Sequence, residues 1–127
     1  MNTALLFAVN LKLVTEIDRN ALKYLSPQLL LQPLIENAII HGVANNEDGG
    51  DIEIKIKKEE SRIHINIVNS LLNPSLKNER ETSGLGLLAV QASLESVFGT
   101  KAMLKTEIIM DVYYQVNITM PAEEMKL

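Results

Sequence analysis

Isoleucine at alternate positions marks the middle of the chain. "DIEIKIKK", residues 51–58, sets Ile52, Ile54 and Ile56 on one face, and "RIHINIVN", residues 62–69, does the same with Ile63, Ile65 and Ile67. A period of two is that of a strand buried on one side only. The other faces carry Glu53, Lys55, Lys57, His64 and Asn66, so one side of the sheet meets water. The short polar link "EES" predicts a hairpin between them. Upstream, "FAVNLKLV", residues 7–14, partly alternates and reads as a strand. Ser26-Pro27 then supplies a helix cap and a first-turn proline, and a helical pattern runs to Gly42. Pro33 lies inside that pattern and lacks a backbone donor, which predicts a break or restart near Gln32.

Residues 43–50, "VANNEDGG", read as a loop, and residues 70–83 form a long polar connection of the kind that often serves as a lid. "GLGLLAVQASLESVFG" follows with Leu87, Val90, Leu94, Val97 and Phe98 at helical spacing and Gly99 as the stop. Two closing strands are expected near 102–109 and 112–119, the second with Val112, Tyr114, Val116 and Ile118 alternating. The elements predict an α+β fold: a two-layer sandwich of a mixed, mostly antiparallel sheet with helices on one face. With no linker or repeat, the 127 residues form one domain.

Composition narrows the function. A net charge of -4 argues against direct nucleic-acid binding, which needs a basic footprint. The absence of cysteine rules out disulfides and thiolate metal sites. "ALLFAV", residues 4–9, is far shorter than the roughly 20 apolar residues of a spanning helix.

Three places carry candidate chemistry. In "QPLIENAIIHG", residues 32–42, Leu34, Ile35, Ala38 and Ile39 form an apolar stripe, with Glu36, Asn37 and His41 on the same segment. The acid and amide either face water at the edge of the stripe or act together. In the second case Asn37 gives its amide oxygen to a hard cation such as magnesium, and Glu36 positions or deprotonates an attacking group. His41, one turn beyond Asn37, lines the same spot or merely precedes Gly42. Asn69 ends the stripe of Ile63, Ile65 and Ile67, where it either caps the turn into Ser70 or pairs with a purine edge. The third is "SGLGL", residues 83–87, where Gly84, Leu85, Gly86 and Leu87 open a helix. Backbone N–H groups there, beside the positive end of a helix dipole, suit a phosphate. His64 falls on the wet face of its strand, and neither histidine has a partner at zinc-ligand spacing.

In order, the chain reads "LSPQLLLQPLIENAIIHG", a hairpin ending in "IVN", a polar loop, "SGLGL", and a helix closing on "VFG". This resembles the ATP-binding catalytic domain of LytS-type sensor histidine kinases, within the GHKL ATPase fold, over about residues 8–120. The first segment is close to that group's N-box. The resemblance implies that Asn37 binds magnesium, Glu36 assists phosphoryl transfer, and Gly84 and Gly86 border the phosphates of ATP under a lid. Where the family's first glycine box reads DxGxG, this chain has "NSLLN", residues 69–73, with Asn69 at the adenine-binding aspartate and Leu71 and Asn73 at the glycines. In this it resembles the FimS/AlgZ-like branch, whose first glycine box is also eroded.

The implied activity is donation of the γ-phosphoryl group to a histidine on a dimerisation domain of the same protein. The further implied partner is a response regulator of LytTR type. The expectation is therefore a fragment of a longer bacterial protein, anchored in the inner membrane through other segments, with this domain on the cytoplasmic side. The rival reading is a degenerate, non-catalytic domain serving as an interaction or regulatory module, which the eroded box favours and the intact Glu36-Asn37 pair opposes.

Overall fold

The computed structural model describes residues 11–42, 50–71 and 85–125. The chain begins with β1 (Leu11–Ile17) and a short helix α1 (Arg19–Leu22), then a wide turn over Pro27–Leu31 that leads into α2 (Gln32–Gly42). β2 (Gly50–Glu59) and β3 (Arg62–Ser70) form the central hairpin. α3 (Leu85–Phe98), a 3-10 turn over Gly99–Lys101, β4 (Met103–Ile109) and β5 (Tyr113–Pro121) complete the chain. The five strands lie in the order β1-β2-β3-β5-β4. β1 runs parallel to β2, and every other neighbouring pair is antiparallel. This is the α+β architecture expected, a mixed sheet with its helices on one face.

The alternating isoleucines do what their spacing predicts. Ile54 pairs with Ile67 and Ile56 with Ile65 across the hairpin, and Ile65 and Ile67 continue to Ile118 and Val116 on β5. All six are buried under a helical layer that contributes Leu30, Leu34, Ala38, Leu87, Val90 and Leu94. At about 1.5–3 kcal/mol for each fully buried aliphatic side chain, this one-sided row drives the docking of α2 and α3.

Pro33 leaves its mark as predicted. The Leu30 and Leu31 N–H groups both donate to the Ser26 carbonyl, at 3.0 and 3.1 Å, and the Gln32 N–H reaches back to Pro27. The widened turn ends before Pro33, so its missing donor falls in the first turn of α2, where none is needed. Ser26 Oγ accepts from the Leu29 N–H at 3.1 Å, completing the cap. At the far end of the helical layer, Gly99 takes φ of 61°, the left-handed stop that a glycine allows.

Four details differ from expectation. β1 continues past Val14 to Ile17, and residues 7–10 of the expected strand lie outside the described residues. α1 has only a four-residue signal, too short for helical periodicity to reveal. Ser70 belongs to β3 instead of the following loop, because it pairs with Tyr113 of β5, and its Oγ accepts from the Asp51 N–H at 3.0 Å. Val112 lies in the turn after β4 and is 46% exposed. Met110 and Asp111 adopt positive φ there, so pairing resumes only at Ile109 opposite Tyr113.

Asp18 fastens α1 to the sheet. Its carboxylate accepts from the Asn20 N–H at 2.9 Å and from the Lys58 N–H at 3.2 Å. Those two backbone bonds, with the nearby Lys58 charge, hold its pKa below the ordinary carboxylate value against a small opposing effect of burial. A lowered folded pKa adds stability above the unfolded value of about 3.9, and that stability disappears as pH falls through the folded pKa. Asp18→Asn keeps a capping oxygen but no charge. Urea titrations should find it less stable than wild type at pH 7, with the difference closing below about pH 4. Part of the wild-type acid sensitivity should persist in the variant, since the Lys57 ammonium also holds Glu59 low. A difference independent of pH would contradict this account.

Candidate functional site

α2 presents Leu34, Asn37 and Ala38 to the interior, three positions on one face of a helix. Asn37 is only 3% exposed, and its Oδ1 has no hydrogen-bond partner among the described residues. Buried polar groups are nearly always paired, and leaving one unpaired costs about 1–3 kcal/mol. Such an oxygen makes Asn37 the candidate ligand-binding position of this helix.

Glu36 points elsewhere. It is exposed, and its carboxylate accepts from Gln32 Nε2 at 3.1 Å, one turn back along α2. The acid and the amide, adjacent in sequence, therefore lie on different sides: the amide in the seam, the acid at the solvent edge. His41 lies in α2, but its side chain is outside the described residues.

α3 packs against α2 at Asn37. A methyl group added at Gly86 would lie 3.6 Å from the Pro33 carbonyl oxygen and 3.9 Å from Asn37 Cβ, ordinary contact distances. The first turn of α3 thus packs at Gly86 against the stretch of α2 that carries the buried amide. N–H groups in a first helical turn have no intrahelical acceptor, and the dipole adds partial positive charge. Leu87 serves the core as well, being buried with Val90 and Leu94. Gly84 and residues 72–83 of the expected lid lie outside the described residues, as does the side chain of Leu85.

Asn69 ends the apolar stripe of β3 as the alternation predicts, and it is 1% exposed. Its Nδ2 donates to the Ser70 carbonyl at 3.1 Å, so part of its capacity goes to the local turn. In the sheet it stands between Ile52 of β2 and Tyr114 of β5. Tyr114 therefore belongs to the surroundings of this amide, which sequence reading missed. The signal was available in the inward parity it shares with Val116 and Ile118. Among the described residues no hydrogen bond joins Asn69 to Asn37.

The structure brings Asn37 and Gly86 together and sets Glu36 at their solvent edge. A single neutral amide oxygen suits magnesium, which takes oxygen ligands, keeps several waters and shares itself with phosphates. Among the described residues no three His, Asp or Glu side chains gather into a metal cluster. Two grooves of about 300 and 560 Å³ on the uncovered face of the sheet include none of these site residues. His64 is there, 3.9 Å from Glu59, as a surface residue.

No family model matches the chain. Among curated proteins it is 27% identical over 109 residues to the uncharacterised protein YwpD of Bacillus subtilis, covering 79% of this chain and 38% of that protein. It is 29% identical over 114 residues to the sensor histidine kinase BtsS of Escherichia coli, covering 89% of this chain and 19% of that one. The chain thus spans well under half the length of either relative. Among solved structures, the nucleotide-free catalytic domain of histidine kinase ThkA superposes with a TM-score of 0.64 at 19% identity, over 90% of this chain and 82% of that one. ThkA has also been solved in complex with the response regulator protein TrrA. No helix among the described residues is long and apolar enough to cross a membrane. The chain has the fold of a histidine kinase catalytic domain.

Proposed function

We propose that this chain is the Mg-ATP-binding catalytic domain of a sensor histidine kinase of LytS type. It donates the γ-phosphoryl group to a histidine on a dimerisation domain of the same protein. The observation that carries this reading is the unpartnered oxygen of Asn37 beneath the first turn of α3. The similarity to BtsS and the ThkA fold supports it. By analogy with ThkA and TrrA, the phosphoryl group passes on to a response regulator.

Phosphoryl transfer asks the protein mainly for positioning and charge neutralisation. Asn37 Oδ1 would hold a magnesium ion, which when bound neutralises phosphate charge. The N–H groups in the first turn of α3 take phosphate oxygens, and Gly86, without a side chain, holds that turn close against Pro33 and Asn37. Glu36 sits on the exposed side, where a histidine arriving from another domain can be oriented or relieved of its proton. Asn69 accepts from the adenine amino group without charge. Neutral acceptors bond about half as strongly as charged ones, so nucleotide affinity is modest.

Two variants test this reading. Calorimetric titration of ATP with and without magnesium should show magnesium-dependent binding by wild type that is lost in Asn37→Ala. The same substitution should leave stability to urea unchanged or raise it by up to about 1 kcal/mol, because it removes an unpaired acceptor and improves helix propensity. Absence of binding at millimolar ATP would overturn the reading and leave a non-catalytic module. A stability loss above about 1 kcal/mol would assign Asn37 a structural bond instead. Gly86→Ala should stabilise α3 by roughly 0.5–1 kcal/mol while weakening ATP binding. A variant both more stable and equally good at binding would remove Gly86 from the phosphate site.

A further inference from the structure

β4 closes one edge of the sheet, hydrogen-bonded to β5 on one side and to no other strand among the described residues. An open edge is a template for another strand, and proteins usually guard it with charge, proline or a bulge. β4, "MLKTEII", carries no proline, and two of its large apolar side chains are exposed, Met103 at 51% and Ile108 at 40%. Its two charges, Lys105 and Glu107, stand opposite the neutral Asn117 and Gln115 of β5 and make no salt bridge among the described residues.

The order of these residues is self-complementary about Thr106. When a second copy of the strand runs antiparallel with Thr106 facing Thr106, Lys105 of each copy lies opposite Glu107 of the other. Leu104 then meets Ile108, and Met103 meets Ile109. All paired residues share a face: Lys105, Glu107, Met103 and Ile109 the uncovered face, and Leu104 and Ile108 the face that carries the helices. Moving the centre to Lys105 sets lysine against lysine, and moving it to Glu107 sets glutamate against glutamate. Directly opposed like charges are destabilising, so the charges that would guard this edge against other strands select one register with itself.

The other edge strand, β1, lacks this property, because its Lys12 and Glu16 already stand opposite Asp51 and Lys55 of β2. We infer that the β4 edge is a two-fold docking surface for a second copy of this chain, joining the two sheets through an antiparallel β4–β4 pair centred on Thr106. The contact is isologous, as a closed dimer requires. Its axis is perpendicular to the sheet, so both copies carry α2 and α3 on the same side of the joined sheet. One strand pair buries little area, which places the dimer in the weak, transient class.

The natural absence of cysteine makes the test clean. Directly opposed residues of antiparallel strands have Cα atoms about 4.5–5.5 Å apart, within disulfide range. Thr106→Cys should therefore form disulfide-linked dimers under mild oxidation far faster than Lys57→Cys, a control on the exposed face of β2. In sedimentation equilibrium the wild type should dimerise at high micromolar concentration. K105E, which opposes two pairs of glutamates, should weaken the dimer about ten- to thirtyfold. K105E/E107K should restore it, with far-ultraviolet circular dichroism unchanged throughout. Equal cross-linking at both cysteines, a wild type monomeric at about 1 mM, or no rescue by the double exchange would overturn the proposal.

Discussion

The sheet has one dry face, and the rest of the molecule follows from covering it. Ile52, Ile54, Ile56, Ile63, Ile65 and Ile67 all turn to the same side, and the opposite side is charged and amide-rich. Neither α2 nor α3 covers this row alone. The two must lie together, and their seam passes over Asn37 where Gly86 lacks a side chain. The candidate site is thus a product of core packing: the polar atom is carried into the interior by the same face of α2 that buries Leu34 and Ala38.

That arrangement has an energetic consequence. A buried amide oxygen without a partner among the described residues works against the fold by an amount comparable to one good hydrogen bond. A marginally stable domain keeps such a group at a functional site when a ligand satisfies it. Glu36 makes the complementary point. Standing one residue away but exposed, it has an ordinary helix-surface contact with Gln32 and costs the fold nothing. One residue lies inside the seam and the other outside it.

Much of this was legible in the sequence, for identifiable physical reasons. The two isoleucine rows specified the hairpin and its buried face, because a period of two admits no other placement. Ser26, Pro27, Pro33 and Gly99 marked helix ends through backbone chemistry that neighbours cannot override. The burial of Asn37 was legible only in part. The apolar stripe suggested an edge position, yet Asn37 is three residues beyond Leu34, the spacing that brings it to the interior. The parallel pairing of β1 with β2 was not legible, since it depends on the crossover between them and not on any local pattern. Neither was the place of Tyr114 beside Asn69, which needs the β3–β5 register. The positive φ at Met110 and Asp111 carried no glycine to announce it, and so Val112 was expected in the strand.

The central claim is that the α2–α3 seam at Asn37 and Gly86 receives magnesium-bound nucleotide. Amide chemical-shift mapping on the isotope-labelled chain, titrated with Mg-ATP, tests it most directly. The account predicts saturable shifts concentrated at Asn37, at Gly86 and Leu87 in the first turn of α3, and at Asn69, with the uncovered strand face around Asn66 and Asn117 unmoved. Shifts confined to that uncovered face, or a seam that stays silent while nucleotide binds, would contradict it.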